Sequence, residues 1–237
     1  SGLTSLRSEK PKLAIARATE PMFNPPCGAT RTTLKLERIS FVTINYISIR
    51  HGGALIGEGN EINGLTLGGV GNGTIINNIE VVANVDDGVE FFGGTVAVSN
   101  LYLENNDDDS IDWTEGWSGS VTNAYISHTV AGFSTVFEGD KDNANPTFTN
   151  ITAVSSVGGT GLQFKKESGA TITGLHLVGY DVDLDMKDNG ALSNVQIDGT
   201  TADATLYTGE TNKYLLNSGK NAAPVELNKW SWIDDSF

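Results

Sequence analysis

The sequence predicts an all-β fold, a single right-handed parallel β-helix of about seven or eight coils. A turn residue followed by a small residue recurs six times between residues 73 and 191, at spacings of 21, 25, 27, 23 and 21 residues. Repeats of this length indicate a solenoid. Each repeat also holds short stretches of alternating apolar and polar residues, separated by Gly, Asn, Asp and Ser. Because such alternation is typical of strands and no stretch has sustained helical spacing, helical solenoids are excluded.

The chain divides into three parts. Residues 1–50 hold eight of the 15 basic residues and four of the six prolines, and no repeat is visible at their start. We therefore expect residues 1–33 to be an atypical cap or linker, residues 34–210 to form the β-helix, and residues 211–237, where the period is lost, to form a C-terminal cap. A single cysteine, Cys27, excludes an intramolecular disulfide.

The first strand of each repeat follows a polar residue that is asparagine five times. Stacked coils would place these side chains above one another, so that each amide bonds to its neighbours along the axis. The predicted asparagine ladder consists of Asn78, Asn100, Asn123, Asn150 and Asn194.

A second strand follows in each repeat as an apolar-x-apolar triplet. Side chains alternate across a strand, so the last residue of each triplet should enter an inner stack and the middle residue should point outward. The predicted inner stack is Leu67, Phe91, Trp113, Phe137, Phe164, Met186 and Tyr207. The predicted outward column is Thr66, Glu90, Asp112, Val136, Gln163, Asp185 and Leu206.

The outward column and the turn before it are rich in carboxylates, which gives the best candidate site. Glu90 and Asp112 should lie one coil apart, at a separation that suits a retaining glycosidase, while Asp112 and Glu138 could have the wider separation of an inverting one. The candidate catalytic residues are Asp112, Glu90, Asp109 and Glu138.

Two other interpretations of the same acidic residues stay open. Carboxylate oxygens are the ligands of Ca²⁺, and the candidate metal ligands are Asp86, Asp87, Asp108 and Asp109. No cofactor is expected to be required, and Ca²⁺ is the one candidate ion. Alternatively, these aspartates only cap turns by accepting bonds from backbone N–H groups.

The other outward column carries aromatic and polar side chains. Tyr102 and Tyr125 should lie one coil apart, where they could stack on sugar faces or could simply be exposed tyrosines on a sheet. With His176 and Lys165 they are the candidate substrate-binding residues.

The net charge of −14 argues against nucleic acid and anionic membrane as partners. No apolar stretch is long enough to span a membrane. The lysine-poor, Asn/Asp/Thr/Gly-rich composition is typical of exported bacterial β-solenoids. We therefore expect a secreted or cell-surface protein of bacterial origin, with a polysaccharide or surface glycan as its partner.

The repeat with its asparagine ladder resembles the pectin-lyase-like superfamily over about residues 46–200. Residues 60–74, 86–95 and 107–117 are similar to a group of secreted bacterial β-helix proteins that includes lipoproteins. The resemblance implies a carbohydrate-active protein, and the stacked carboxylates favour a polysaccharide hydrolase. Two alternatives stay open. One is a non-catalytic adhesion or glycan-binding module, and the other is a polysaccharide lyase, for which Lys165 and Lys166 could supply the base.

Overall fold

The computed structural model is described over residues 34–37, 42–53, 62–202, 204–206, 211–217, 220 and 222–227. Within these ranges the protein is a parallel β-solenoid whose only helical element is a single 3₁₀ turn, Leu192–Asn194. The predicted fold is therefore confirmed. The predicted atypical cap or linker at residues 1–33 lies outside the described residues.

In the part of the chain that the structure describes, seventeen strands form two sheets. Sheet A stacks short strands in the spatial order β1, β3, β5, β7, β9, β11, β13, β17, β16. These strands are β1 Leu34–Glu37, β3 Leu65–Gly68, β5 Val89–Phe92, β7 Ile111–Thr114, β9 Thr135–Gly139, β11 Thr160–Lys165, β13 Val182–Lys187, β16 Ala204–Leu206 and β17 Lys213–Leu216. Sheet B stacks mostly longer strands in the order β15, β14, β12, β10, β8, β6, β4, β2. They are β2 Thr43–Arg50, β4 Ile75–Val82, β6 Ala97–Glu104, β8 Ser120–His128, β10 Thr147–Ser155, β12 Ala170–Val178, β14 Val195–Ile197 and β15 Thr200–Thr201.

The parallel stack makes about six turns, slightly fewer than predicted. The difference lies at the C-terminal end. Thr205 and Leu206 were expected in a further parallel coil, but they belong to β16, which pairs antiparallel with β17. Strand β17 pairs antiparallel with β13, and β15 pairs antiparallel with β14. Tyr207 lies outside the described residues.

The asparagine ladder forms a corner within sheet B. Asn78, Asn100, Asn123 and Asn150 all have a positive φ between 55° and 58°, so each strand bends there. The amide of Asn123 donates to Asn100 Oδ1 at 3.0 Å, and Asn150 donates to Asn123 Oδ1 at 3.2 Å. A β-carbon is strained in this left-handed conformation, which favours Gly and also Asn, because the short polar side chain of Asn can form compensating hydrogen bonds there.

Asn194 was wrongly assigned to this ladder. It ends the 3₁₀ turn, and its amide donates to the carbonyl of Glu167 at 3.0 Å. Gly174 occupies the corner in its own coil, and its N–H donates to Asp198 Oδ1 at 2.7 Å. Asp198 has a φ of 52° and continues the row in place of asparagine.

One register prediction was wrong by two residues. Strand β9 pairs with β7 so that Phe137 lies beside Ile111 and Glu138 beside Asp112. Val136 is therefore not in the outward column, and it is fully buried. Gly139 lies beside Trp113, where a β-carbon would come within 2.6 Å of the indole ring. The indole thus takes the space in which the expected phenylalanine would have stacked.

The rest of the inner stack is as predicted within the described residues. Leu67, Phe91 and Phe164 are completely buried, and Trp113 packs edge-on against Phe137 and Phe164 with ring centroids 6.0 and 5.7 Å apart. This interior holds the coils in register, and it fixes which side chains face outward.

Candidate functional site

The outer face of sheet A carries three carboxylates on consecutive strands. Glu90 on β5, Asp112 on β7 and Glu138 on β9 lie in register. Neighbouring strands are about 4.8 Å apart, so Asp112 has a carboxylate one strand away on each side. The wider separation predicted for Asp112 and Glu138 is therefore wrong, because the shifted register of β9 makes them direct neighbours.

Each of the three carboxylates has a polar partner. The amide of Asn63 donates to Glu90, and Asp112, while it carries a proton, donates to Glu90 as well. Glu138 forms an ion pair with Lys165. The second oxygen of Asp112, Oδ1, is buried and has no hydrogen-bond partner. The row thus combines a proton-sharing pair with a carboxylate held beside a cation.

Asp87 and Asp109 lie behind this row, in the turns before β5 and β7. They are only 5% and 4% exposed. Asp87 accepts from the backbone N–H of Asp109 at 3.0 Å, and Asp109 accepts from the Thr135 hydroxyl at 2.6 Å. Asp87 therefore makes the backbone contact that the turn-capping interpretation predicts. Both carboxylates are too enclosed to meet a polymer directly.

Burial dominates the electrostatics of this cluster. Loss of hydration raises the pKa of Glu90 to about 7, against the opposing effect of the hydrogen bonds from Asn63 and Asp112. Burial, and then the charge of Glu138, raises the pKa of Asp109 to about 8. The pKa of Asp112 is raised well above its ordinary value by burial, then by the charges of Glu90 and Asp109. The pKa of Asp87 is raised by burial and by the charge of Asp112. The cluster therefore retains protons at neutral pH.

Two groups of carboxylates are close enough to share a cation. One oxygen from each of Asp86, Asp87 and Asp108 lies within 4.8 Å of the others, and the same holds for Asp87, Glu90 and Asp112. Three of the four predicted metal ligands are thus brought together. Asp109 is instead engaged by Thr135 and by a hydrogen bond to Glu138. Ca²⁺ binding stays a prediction.

The basic residues at the edge of the site are both paired. Lys165 contacts Glu138, and Lys166 contacts Asp140 at 2.9 Å. Burial alone would lower the pKa of Lys165, but its hydrogen bond and charge interaction with Glu138 outweigh that effect and raise the pKa. An ammonium group held in this way is a poor proton acceptor, which weighs against the lyase alternative.

The second predicted surface is on the outer face of sheet B. Tyr102 and Tyr125 are in register, and their rings stack with centroids 5.9 Å apart and planes within 7°. The expectation that both are exposed is wrong, since Tyr102 is only 7% exposed. Val225 and Leu227 pack around Tyr102, while His176 Nδ1 donates to the carbonyl of Ala222 at 2.8 Å. A C-terminal segment therefore covers this column.

Sequence reasoning missed several contributors to these sites. Asn63 and Thr135 supply donors to the carboxylates. Asn63 lies outside the repeating triplets, and Thr135 is the first residue of the predicted triplet 135–137, a position for which the pattern indicated only an inward side chain. His128 is buried, with Nε2 3.1 Å from Ser110 Oγ and Nδ1 3.0 Å from Tyr180 OH. His128 follows Ile126 at the two-residue period of strand β8. This pattern is a signal for burial only.

Comparison with known proteins agrees with this architecture. Residues 40–230 match the family described as the pectate-lyase-like β-helix domain. No curated protein and no solved structure gave a match to the chain. In the described part of the chain, no helix is long and apolar enough to cross a membrane. A family match over most of the chain, together with the observed solenoid, shows that this protein belongs to the pectate-lyase-like β-helix domain family.

Proposed function

We propose that this protein is an extracellular polysaccharide hydrolase that uses the carboxylate row on the outer face of sheet A. Membership of the family fits a carbohydrate-active or polysaccharide-binding protein. The observation that favours hydrolysis is the in-register row of Glu90, Asp112 and Glu138, in which protonated and ionised carboxyl groups are neighbours. Glycoside hydrolysis requires one carboxyl group of each kind.

In this proposal Glu90 and Asp112 share a proton and together form the general acid. Their titration belongs to the pair, since the two groups are hydrogen-bonded. The shared proton goes to the glycosidic oxygen as the bond to the leaving sugar breaks. Asp87 and Asp109 are positioning residues, because both are enclosed. Asp87 accepts from the backbone N–H of Asp109, and Asp109 forms a hydrogen bond with Glu138.

Glu138 is the proposed nucleophile. It lies one strand from Asp112, close to the separation of about 5–5.5 Å that retaining enzymes use. The ammonium of Lys165 supports its negative charge. Attack by Glu138 would give a glycosyl ester that water hydrolyses, with net retention at the anomeric carbon. The net charge of −14 favours a neutral polysaccharide over an acidic one.

The test is a screen for reducing ends and for unsaturated products on neutral and acidic polysaccharides. We expect hydrolysis of a neutral polymer, a loss of at least about 10³-fold in Glu138→Gln, and partial recovery with azide as an external nucleophile. Glu115→Gln is the matched control, because Glu115 forms an exposed ion pair with Lys141 next to the site. Unsaturated products would favour the lyase alternative. No product from any polymer would favour a binding module.

A further inference from the structure

The outer face of sheet A is accessible along the carboxylate row but enclosed beyond it. Asp185 on β13 precedes Met186 of the inner stack and so points outward, yet it is only 1% exposed. Gln163, its neighbour on β11, is 4% exposed. The outward residues on β3, β5, β7 and β9 are all partly exposed, namely Thr66, Glu90, Asp112 and Glu138. A ligand can therefore reach the row from β3 to β9, whereas the faces of β11 and β13 are filled.

Polar contacts hold the enclosed end in place. Both oxygens of Asp185 accept hydrogen bonds, one from the Asn212 amide at 3.2 Å and the other from the Gln163 amide at 3.3 Å. Asn212 also exchanges two hydrogen bonds with the backbone of Met186, both at 2.8 Å. Strand β17 follows Asn212 at once and pairs with β13. Gln163, Asp185 and Asn212, which we call the wall, are thus built into the sheet.

The roles of the carboxylates determine which sugar meets the wall. In the proposed reaction the pair of Glu90 and Asp112 protonates the leaving oxygen, so the leaving sugar lies toward β5. Glu138 bonds to the anomeric carbon of the other sugar, which therefore lies toward β9. A further sugar on that side would need the face of β11, about 4.8 Å beyond β9, where Gln163 is enclosed. Only a sugar at the non-reducing end of a chain fits there.

The opposite side of the row offers an aromatic surface to the rest of the chain. Phe92 lies two residues after Glu90 on the outer face of β5 and is 37% exposed. Its neighbours in register are Gly68, which has no side chain, and Thr114. The ring is therefore free to stack on the apolar face of the leaving sugar.

Two oxygens next to Phe92 favour a ligand rich in hydroxyl groups. Asp112 Oδ1 and Thr114 Oγ1 are buried and have no hydrogen-bond partner in the described part of the chain. Both residues alternate with the inward Trp113, so they belong to the outer face of β7. An unpaired buried oxygen costs about 1–3 kcal/mol, and a sugar hydroxyl that donates to it recovers that cost.

We propose that this face is a chain-end site, which takes a neutral glycan only by its non-reducing end. The wall excludes any sugar beyond the one that Glu138 attacks, and Phe92 supports the sugar on the other side of the cleaved bond. This inference rests on the proposed hydrolase and makes it exo-acting, so that each reaction releases one monosaccharide.

Time courses on hexaoses labelled at the reducing end test the mode of cleavage in the wild type. The probes are cellohexaose, laminarihexaose, mannohexaose and xylohexaose. We expect the first products to be an unlabelled monosaccharide and the labelled pentaose, and a benzylidene block on the non-reducing sugar to prevent cleavage. First products of mixed length, a labelled monosaccharide, or unchanged cleavage of the blocked hexaose would overturn the proposal.

Calorimetric binding to Glu138→Gln separates this proposal from hydrolysis. We expect one of the hexaoses to bind about tenfold or more tightly than its blocked form, and Phe92→Ala in the same background to weaken binding by about tenfold. Ile75→Ala is the matched control, because Ile75 is a 59% exposed apolar residue on sheet B, and it should leave binding unchanged.

The outcomes of these two experiments are distinguishable. A preference for the free chain end without any hydrolysis by the wild type would refute the hydrolase and leave the chain-end site standing. Hydrolysis without that preference would refute the chain-end site alone. Failure of all four hexaoses to bind, or equal losses in Phe92→Ala and Ile75→Ala, would also overturn the chain-end site.

Discussion

Replacing Asp112 by Asn should lower the rate of hydrolysis by orders of magnitude and also stabilise the protein at neutral pH. The raised pKa means that folded Asp112 retains a proton that the unfolded chain releases above its ordinary pKa of about 4. Over that pH range the wild type loses stability as pH rises, at up to about 1.4 kcal/mol per pH unit. Asn has the shape of the protonated acid and can still donate to Glu90, but it does not titrate.

The size of the stability difference between Asp112→Asn and the wild type depends on the pH interval. Between pH 4.5 and 6.5 the stability advantage of Asp112→Asn should grow with pH, and the linkage slope limits that growth to about 3 kcal/mol. For a chain of this length that limit corresponds to about 6–12 °C in Tm. Activity should fall by about 10²–10⁴-fold, because the amide has no acidic proton to transfer to the leaving oxygen.

Thermal melts across this pH range, with assays on the same preparations, measure both effects. Asp107→Asn is the matched control, since Asp107 is exposed in the same coil. If Asp112→Asn is less stable than the wild type at pH 6.5, or if the difference is independent of pH, the reasoning about this cluster is wrong.

Three further predictions concern other parts of the molecule. Burial lowers the pKa of His128 to about 4. Acidification from pH 6.5 to 4 should therefore destabilise the wild type relative to His128→Gln by about 3 kcal/mol in denaturant titrations. A difference in unfolding free energy that stays constant with pH would contradict this. Asn123→Ala should lower the free energy of unfolding by about 2–4 kcal/mol. Asn123→Gly should lower it by about 1 kcal/mol less, because glycine tolerates the positive φ. Equal losses of stability would exclude a contribution from backbone strain. Millimolar calcium should raise the Tm, with reversal by chelator and no effect in Asp108→Asn; identical melts would leave turn capping as the role of these aspartates.

The coil repeat and most of the asparagine ladder could be predicted from sequence because both depend on local patterns. A left-handed corner accepts few residue types, so Asn78, Asn100 and Asn123 identify it directly. Asn194 has the same spacing pattern but lies where the last coil changes into a 3₁₀ turn. Sequence spacing alone does not reveal that change, because the corner position passes to Asp198.

The errors at the candidate sites arose from contacts between distant segments. The register of β9 depends on the indole of Trp113 filling the space beside Gly139, a volume effect between coils 26 residues apart. This shift decides that Glu138, not Val136, neighbours Asp112. The cover over Tyr102 comes from residues more than a hundred positions later, and nothing in the repeat indicates where the non-repeating C-terminal segment will lie.

The antiparallel closure at the C-terminal end has a consequence for self-association. A stack of parallel strands ends in unpaired backbone groups that can template another copy. Here β17 and β15 cover parts of both sheets, and Lys220 with Ala222 covers the remaining backbone of Leu175 and Leu177. Loss of the hydrogen bonds that Lys220 and Ala222 make to β12 would expose a sheet edge, so a protein without them should be prone to end-to-end polymerisation.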